Sequence, residues 1–237
     1  METSKTGISR RKFLTFSAAA LGGLVLASHV GLTYVKDDSV KMKSPALVPT
    51  PAKWKDDQLT VAWLGHASFL INFYGTKIIV DPAFYEKIGI TPFGNHTIGL
   101  KRFLACPLTP EQIGKVDLVI CSHAHTDHFD YPSLRNLQSP DTFVMTAKGT
   151  KALWEGMNYK SIDELYWGEE KEYPGGLLVK AIEGQHWGAR LPWNKGMEAN
   201  SILLSKNGVN IFIGADTGYT EKFQQQLREV EIELAIM

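Results

Sequence analysis

Ser122-His123-Ala124-His125-Thr126-Asp127-His128 is the stretch on which the reading of this sequence turns. It follows directly on Val116 to Cys121, a nearly continuous apolar run of the kind that forms a strand buried on both faces. In an extended segment residues two apart project to the same side, so His123, His125 and Asp127 can converge on one point. A tightening turn at Asp127 would bring His128 to an adjacent point. Neutral imidazoles and a carboxylate are the ligands a Zn²⁺-like ion takes, at about 2.0–2.2 Å. An exposed polar turn explains this density poorly, because each imidazole would then need a partner of its own.

Moving outward, two more candidates sit where a strand runs into a loop. Gln185-His186-Trp187 follows the strand-like Leu177 to Ile182, and Asp216-Thr217-Gly218 follows Val209 to Ile213. Alone, His186 reads as a histidine packed on Trp187, and Asp216 as a turn residue before Gly218. Function gathers on loops held by a rigid sheet, so beside the dense motif both become candidate ligands. His66, in Gly65-His66-Ala67, either lines the mouth of such a site or is a packed turn histidine, and it is not counted among the ligands.

The rest of the chain supplies the frame. Leu59 to Leu64, Ser68 to Phe73 and Lys77 to Val80 read as strands, the last stopping at Asp81-Pro82. A long loop with Pro92, Gly94, Gly99 and Pro107 is expected next, and a loop of that length is more often functional than idle. Thr109-Pro110-Glu111-Gln112 has the capping-box pattern that opens a helix, and Asp130 caps another through Leu137. Thr142 to Thr146 reads as strand and Thr150 to Met157 as helix, and Gly175-Gly176 separates two further strands. Ser201 to Ser205 and Val209 to Ile213, joined by Asn207-Gly208, form the clearest hairpin, and Thr220 to Glu229 an amphipathic helix. Strands in hairpins with helices between the groups imply an α+β architecture of two sheets covered by helices.

The chain has 237 residues, enough for one sizeable core, and 44% of them are hydrophobic. Lys+Arg and Asp+Glu both number 25, so no net field draws the chain to nucleic acid. Cys106 and Cys121 make no disulfide framework, and Cys121 reads as a buried free thiol.

His-x-His-x-Asp-His, a later lone histidine and a strand ending in Asp-Thr-Gly resemble the metallo-β-lactamase superfamily. More narrowly, Trp63-Leu64-Gly65-His66-Ala67, Asp81-Pro82, Lys101-Arg102-Phe103, Gln185-His186-Trp187 and Asp216-Thr217-Gly218-Tyr219 resemble the branch containing N-acylphosphatidylethanolamine phospholipase D. The resemblance runs from about Leu59 to the end and implies an αββα sandwich over residues 59–237. It implies two divalent ions, zinc by default, with manganese or iron also suited to a carboxylate-bridged pair. His123, His125 and His186 would hold the first ion, Asp127 and His128 the second, and Asp216 would bridge them, Asp127 also orienting the nucleophile. The family's seventh ligand, a histidine, has no counterpart, and Ile232 to Met237 is strand-like with no terminating signal, so a fragment lacking the last strands is expected. The implied activity is hydrolysis of a phosphodiester, with a phospholipid as the candidate substrate. A lactonase-like carbonyl hydrolase stays open beside it, because the same site serves both chemistries, and so does a truncated metal-binding non-enzyme, because the seventh ligand has no counterpart.

Ser9-Arg10-Arg11-Lys12-Phe13-Leu14 and the apolar run after it, within residues 1–35, resemble a twin-arginine export signal or a membrane anchor, and residues 36–58 read as a proline-bearing linker. This implies passage through the twin-arginine machinery to the periplasm or the outer face of the cytoplasmic membrane. Replacing Arg10 and Arg11 together by lysine should leave the protein in the cytoplasm on cell fractionation. Unchanged export would remove the twin-arginine reading.

Overall fold

In the first strands apolar residues stand at consecutive positions, such as Phe69 to Ile71 and Ile78 to Val80, and the structure packs them on two faces. The computed structural model describes residues 41–93 and 96–237, so the signal or anchor reading for residues 1–35 lies outside the described residues. β1 (Leu59–Gly65), β2 (Ser68–Phe73) and β3 (Thr76–Val80) form an antiparallel meander. Its second turn places Tyr74 and Gly75 at positive φ, 49° and 82°, the pattern of a tight hairpin whose twist matches the strands. β3 then pairs in parallel with β6 (Leu118–Cys121), which pairs in parallel with β7 (Phe143–Ala147), and β7 with β8 (Ser161–Leu165). The sheet runs β1-β2-β3-β6-β7-β8.

The second sheet, in the order β13-β12-β11-β10-β9, is built from β9 (Glu170–Tyr173), β10 (Leu177–Glu183), β11 (Asn200–Lys206), β12 (Val209–Ile213) and β13 (Leu234–Ile236). Only β13 pairs in parallel, against β12. The Asn207-Gly208 turn has φ of 54° and 79°, as the sequence reading requires.

One core lies between the sheets, with Ile71, Ile78, Leu118 and Ile120 from the first meeting Val179, Ile202, Leu204 and Ile211 from the second. The outer face of the first sheet, including Leu70, Ile79, Val119 and Cys121, is covered by Ile113 of α1 (Pro110–Ile113), Leu134 and Leu137 of α2 (Tyr131–Leu137), and Trp154. On the second sheet Ile182, Leu203 and Phe212 take Phe223 of α3 (Lys222–Gln226) and Leu227. The layers are therefore αββα. The unbroken apolar run of β6 follows, since Leu118 and Ile120 face one core and Val119 and Cys121 the other. Lys206, in β11, crosses between the sheets by donating to Tyr74 O and Thr76 Oγ1 at 2.9 and 2.7 Å. Both helix caps form as read: Thr109 and Gln112 exchange bonds in a capping box, and Asp130 accepts from the Ser133 amide.

Several expectations are corrected. The long loop after Val80 is in part a hairpin of β4 (Lys87–Phe93) and β5 (His96–Lys101). Gly89 and Gly99 are strand residues paired with each other, and a Cβ on Gly99 would stand 1.9 Å from Ile88 O. They serve a close backbone approach, which in sequence looks the same as a turn. The helix read over Thr150 to Met157 is only a 3₁₀ turn, Lys151–Trp154, and that over Thr220 to Glu229 shortens to α3. β8 was not read as a strand, because Asp163 and Glu164 interrupt its apolar pattern. The segment read as linker is anchored in part: Lys43 donates its N–H to Phe103 O and accepts from Ala105, and Pro51 is buried. Met42–Met237 form one compact unit. Among the described residues no helix is long and apolar enough to cross a membrane.

Gly99→Ala should force β4 and β5 apart and lower the melting temperature by about 2–10 °C, the equivalent of roughly 1–3 kcal/mol of overpacking in a domain of this size. An unchanged melting temperature would mean that the two glycines do not face each other.

Candidate metal centre

Four strand ends deliver the site. Asp81 follows β3, Ser122 to His128 follow β6, His186 follows β10 and Asp216 follows β12. The segment after β6 is gripped on several sides. Ser122 O accepts from the Asn200 amide at 2.9 Å, the Ala124 amide donates to Gly188 O at 3.2 Å, and Arg190 Nη1 donates to Phe129 O and Ala124 O at 2.9 and 3.2 Å.

In the first cluster three ring nitrogens converge. His125 Nδ1 lies 2.9 Å from His123 Nε2 and 3.1 Å from His186 Nε2. Ser122 Oγ donates to Asp81 Oδ2 at 2.7 Å, so it is free to accept from His123 Nδ1 at 2.9 Å. That fixes the His123 proton on Nδ1 and turns the Nε2 lone pair inward. Burial and the neighbouring imidazoles push His123 down to about 2, and burial with His186 lowers His125 as well, so both rings are neutral and able to act as ligands. His125 Nδ1 carries at most one hydrogen and faces two nitrogens, so it cannot direct a hydrogen bond at both and at least one contact is poorly satisfied. A shared cation removes that conflict. Donors bound tetrahedrally at about 2.0–2.1 Å lie about 3.3–3.4 Å apart, close to the spacing seen. The residues present fit a metal ion.

The second cluster is richer in carboxylate. His128 Nδ1 donates to the buried Asp81 Oδ2 at 2.8 Å, which aims His128 Nε2 at Asp216 Oδ1, 3.2 Å away, and at Asp127 Oδ2, 3.7 Å away. Burial opposes charge on His128, but Asp81 and Asp216 outweigh it and push the imidazole up to about 10. The hydrogen bond from His128 in turn brings Asp216 down to about 2. Three carboxylates thus surround one position that calls for positive charge, which a proton on His128 supplies when no metal does. Asp216 faces both clusters, with Oδ2 3.8 Å from His186 Nε2.

The six candidate ligands read from the sequence lie in two groups that could hold a metal: His123, His125, His186 and Asp216 in one, Asp127 and His128 with His66 in the other. Asp127 does not join His123 and His125, contrary to the alternation expected of an extended segment. The His128 and Phe129 amides both donate to His125 O, at 3.1 and 2.8 Å, so the chain turns before Asp127 and the alternation of an extended segment ends there. Sequence reasoning missed Asp81 as an orienting group, Ser122 as a relay and Arg190 as a clamp. Asp81-Pro82 carried the only available signal, a carboxylate at the end of a buried strand. Arg102, which had no role by spacing, is a buried clamp that donates to Leu64 O at 3.0 Å and to Ala83 O.

Asp81→Asn should weaken metal binding by about 10–100-fold, the usual result of losing a carboxylate that orients a ligating histidine. Competition with a chromophoric chelator reads this directly, and unchanged affinity would show that Asp81 does not hold the ligands in place.

The chain is similar to proteins of known family. Residues 60–235 match the family model described as the Beta-lactamase superfamily domain. The N-acyl-phosphatidylethanolamine-hydrolyzing phospholipase D of Saccharomyces cerevisiae mitochondria is 26% identical over 70% of this chain and 36% of its own length. A UPF0173 metal-dependent hydrolase of Koribacter versatilis is 28% identical over 67% of this chain and 63% of its own. The chain thus spans less than two thirds of either relative. The crystal structure of an isothiocyanate hydrolase from Delia radicum gut bacteria has the same fold, with a TM-score of 0.58 at 24% identity over 74% of this chain and 69% of that one. With its two sheets, its helical outer layers and a family match over most of its length, the chain belongs to the metallo-β-lactamase superfamily.

Proposed function

We propose that this chain is a metal-dependent hydrolase, zinc being the metal its imidazole-rich first cluster suits best, and that it cleaves phosphodiesters of the N-acylphosphatidylethanolamine type. The observation that carries the reading is the pair of donor clusters joined by Asp216 and opening beside an apolar cavity. That cavity, of about 470 Å³, runs from His66 and Asp127 to Ile88, Leu100, Phe103 and Leu104. Acyl chains suit such walls, and a charged head would then lie at the donor clusters. Similarity to the yeast phospholipase D supports the choice of phosphodiester over carbonyl. In the same proposal, the Arg10-Arg11 segment directs the protein to the outer side of the cytoplasmic membrane, where phospholipid is at hand.

Two divalent ions, when bound, lower the pKa of water toward neutrality and offset the charge that builds on the scissile group. The chain's own residues hold and orient. His123, His125 and His186 bring three ring nitrogens to one point, and Asp216 turns one oxygen toward each cluster. Asp127 is held ionised, because hydrogen bonding to His66 and the charge of His128 outweigh the burial that would raise its pKa. Its carboxylate can therefore accept a hydrogen bond from the attacking water at the moment of reaction.

Asp127→Asn should retain one metal through the three histidines and lose about 10²–10³-fold in turnover, roughly 3–4 kcal/mol, with a smaller change in substrate affinity. N-acylphosphatidylethanolamine in mixed micelles, a simple phosphodiester and a lactone should be assayed side by side. Wild-type turnover by the variant would sink the mechanism, and turnover of the lactone alone would replace phosphodiester by carbonyl chemistry.

A further inference from the structure

We propose that His66 is a direct ligand of the second metal position, completing a four-donor set with Asp127, His128 and Asp216. The inference rests on the two-metal reading above and adds a residue from a strand corner far from the others in sequence. His66 Nε2 lies 2.9 Å from Asp127 Oδ2, which lies 3.7 Å from His128 Nε2, and His128 Nε2 lies 3.2 Å from Asp216 Oδ1. One ligand atom each from His66, Asp127 and His128 falls within 4.8 Å of the others. Four donors on a tetrahedral ion at about 2.0–2.2 Å are spaced about 3.3–3.6 Å apart, and the three measured contacts straddle that range.

The backbone around His66 is built to aim it. His66 has a φ of 53°, in the left-handed region that non-glycine residues rarely occupy, and it follows Gly65 at 91°. The β1–β2 register shifts between Trp63 and Gly65, so the corner is bulged, a device that redirects side chains. Strain of this kind persists only where the surroundings hold it. Here Trp63 Nε1 donates to His66 O at 2.7 Å, and Arg102 packs so closely that a Cβ on Gly65 would stand 2.3 Å from its Nη2. A packed turn histidine would bury its ring against apolar neighbours. This ring is instead 42% exposed and its Nε2 meets a carboxylate at the site.

The imidazole also stands where an added ligand could reach. His66 borders the cavity that includes Asp127 and a second one, of about 280 Å³, that includes Asp81 and Asp216. A ligand role and a mere hydrogen bond to Asp127 make different demands. A ligand must lose its proton at Nε2 and leave Nδ1–H exposed to the ion's influence, whereas a hydrogen-bond donor keeps Nε2–H.

The test uses the 237-residue chain, with zinc or cobalt alone as the probe. Wild type should bind two ions per chain. His66→Gly, which accepts the positive φ, should keep one tightly and weaken the second by more than about 100-fold, beyond the 10–100-fold that loss of a mere orienting neighbour causes. Millimolar imidazole should restore the second ion. In the cobalt-loaded protein, one hyperfine-shifted ring N–H proton should vanish on substitution. His66→Asn, which also tolerates the left-handed region, should remove the same signal, so a folding defect of one variant does not decide the outcome. Unchanged second-site affinity with the same set of shifted N–H signals would overturn the assignment of His66 alone. A single ion in wild type would overturn the two-metal reading, and this inference with it, before any substitution is made.

Discussion

The carboxylate of Asp81 is the group around which the site is arranged. It sits at the end of β3, buried, and it receives the Ser122 amide at 2.7 Å, the Ser122 hydroxyl at 2.7 Å and His128 Nδ1 at 2.8 Å. Those three bonds lock the exit of β6 against the exit of the neighbouring parallel strand. They also set the proton positions on two imidazoles: His128 directly, and His123 through Ser122. A buried carboxylate is costly unless its lone pairs are satisfied, and here charged or polar donors meet both oxygens. The arrangement is a case of an outer group deciding what the ligands can do.

The donor clusters themselves oppose the fold when they are alone. Five imidazole rings and three carboxylates crowd the ends of two sheets, with ring centroids of His123 and His128 only 4.1 Å apart. His125 Nε2 is buried with no hydrogen-bond partner among the described residues. The sandwich supplies the stability that tolerates this, through one core between the sheets and one outside each of them. Binding of metal to such a preassembled set is then coupled to folding, because only the native chain brings the ligands together. Strain and unsatisfied groups collect at the site, while the strands beneath it follow ordinary packing rules.

The mouth of the site is governed by backbone rather than by ligands. Gly89 and Gly99 let two strands approach face to face, and the hairpin they form places Ile88 and Leu100 along the cavity beside Asp127. Arg102, at the end of that hairpin, reaches back to Leu64 O and Ala83 O and so fastens the cavity wall to the strands that carry His66 and Asp81. The cavity wall and the strands that carry the donor residues thus share one clamp.

Elements whose signal is local can be read directly from neighbouring residues. The buried run into β6, the Asn207-Gly208 hairpin, the Thr109 capping box and the histidine-rich segment after Cys121 are each written in adjacent residues, and the six ligand candidates could be named from strand exits. Spacing alone joined Asp127 to His123 and His125, the family resemblance set it beside His128, and the fold supplies the physical reason for the latter. The turn at His125 O sends Asp127 to the second cluster, and no spacing rule for extended chain contains that turn. The fold likewise brings Asp81 and His66 to the donor clusters, where each meets its partners across 41 to 61 residues of chain. Contacts of that separation depend on which strands lie side by side, and β3 beside β6 is a choice made by the packing of both sheets. A glycine that lets strands touch and a glycine that turns the chain read alike, so β4 and β5 too became visible only once the backbone was folded.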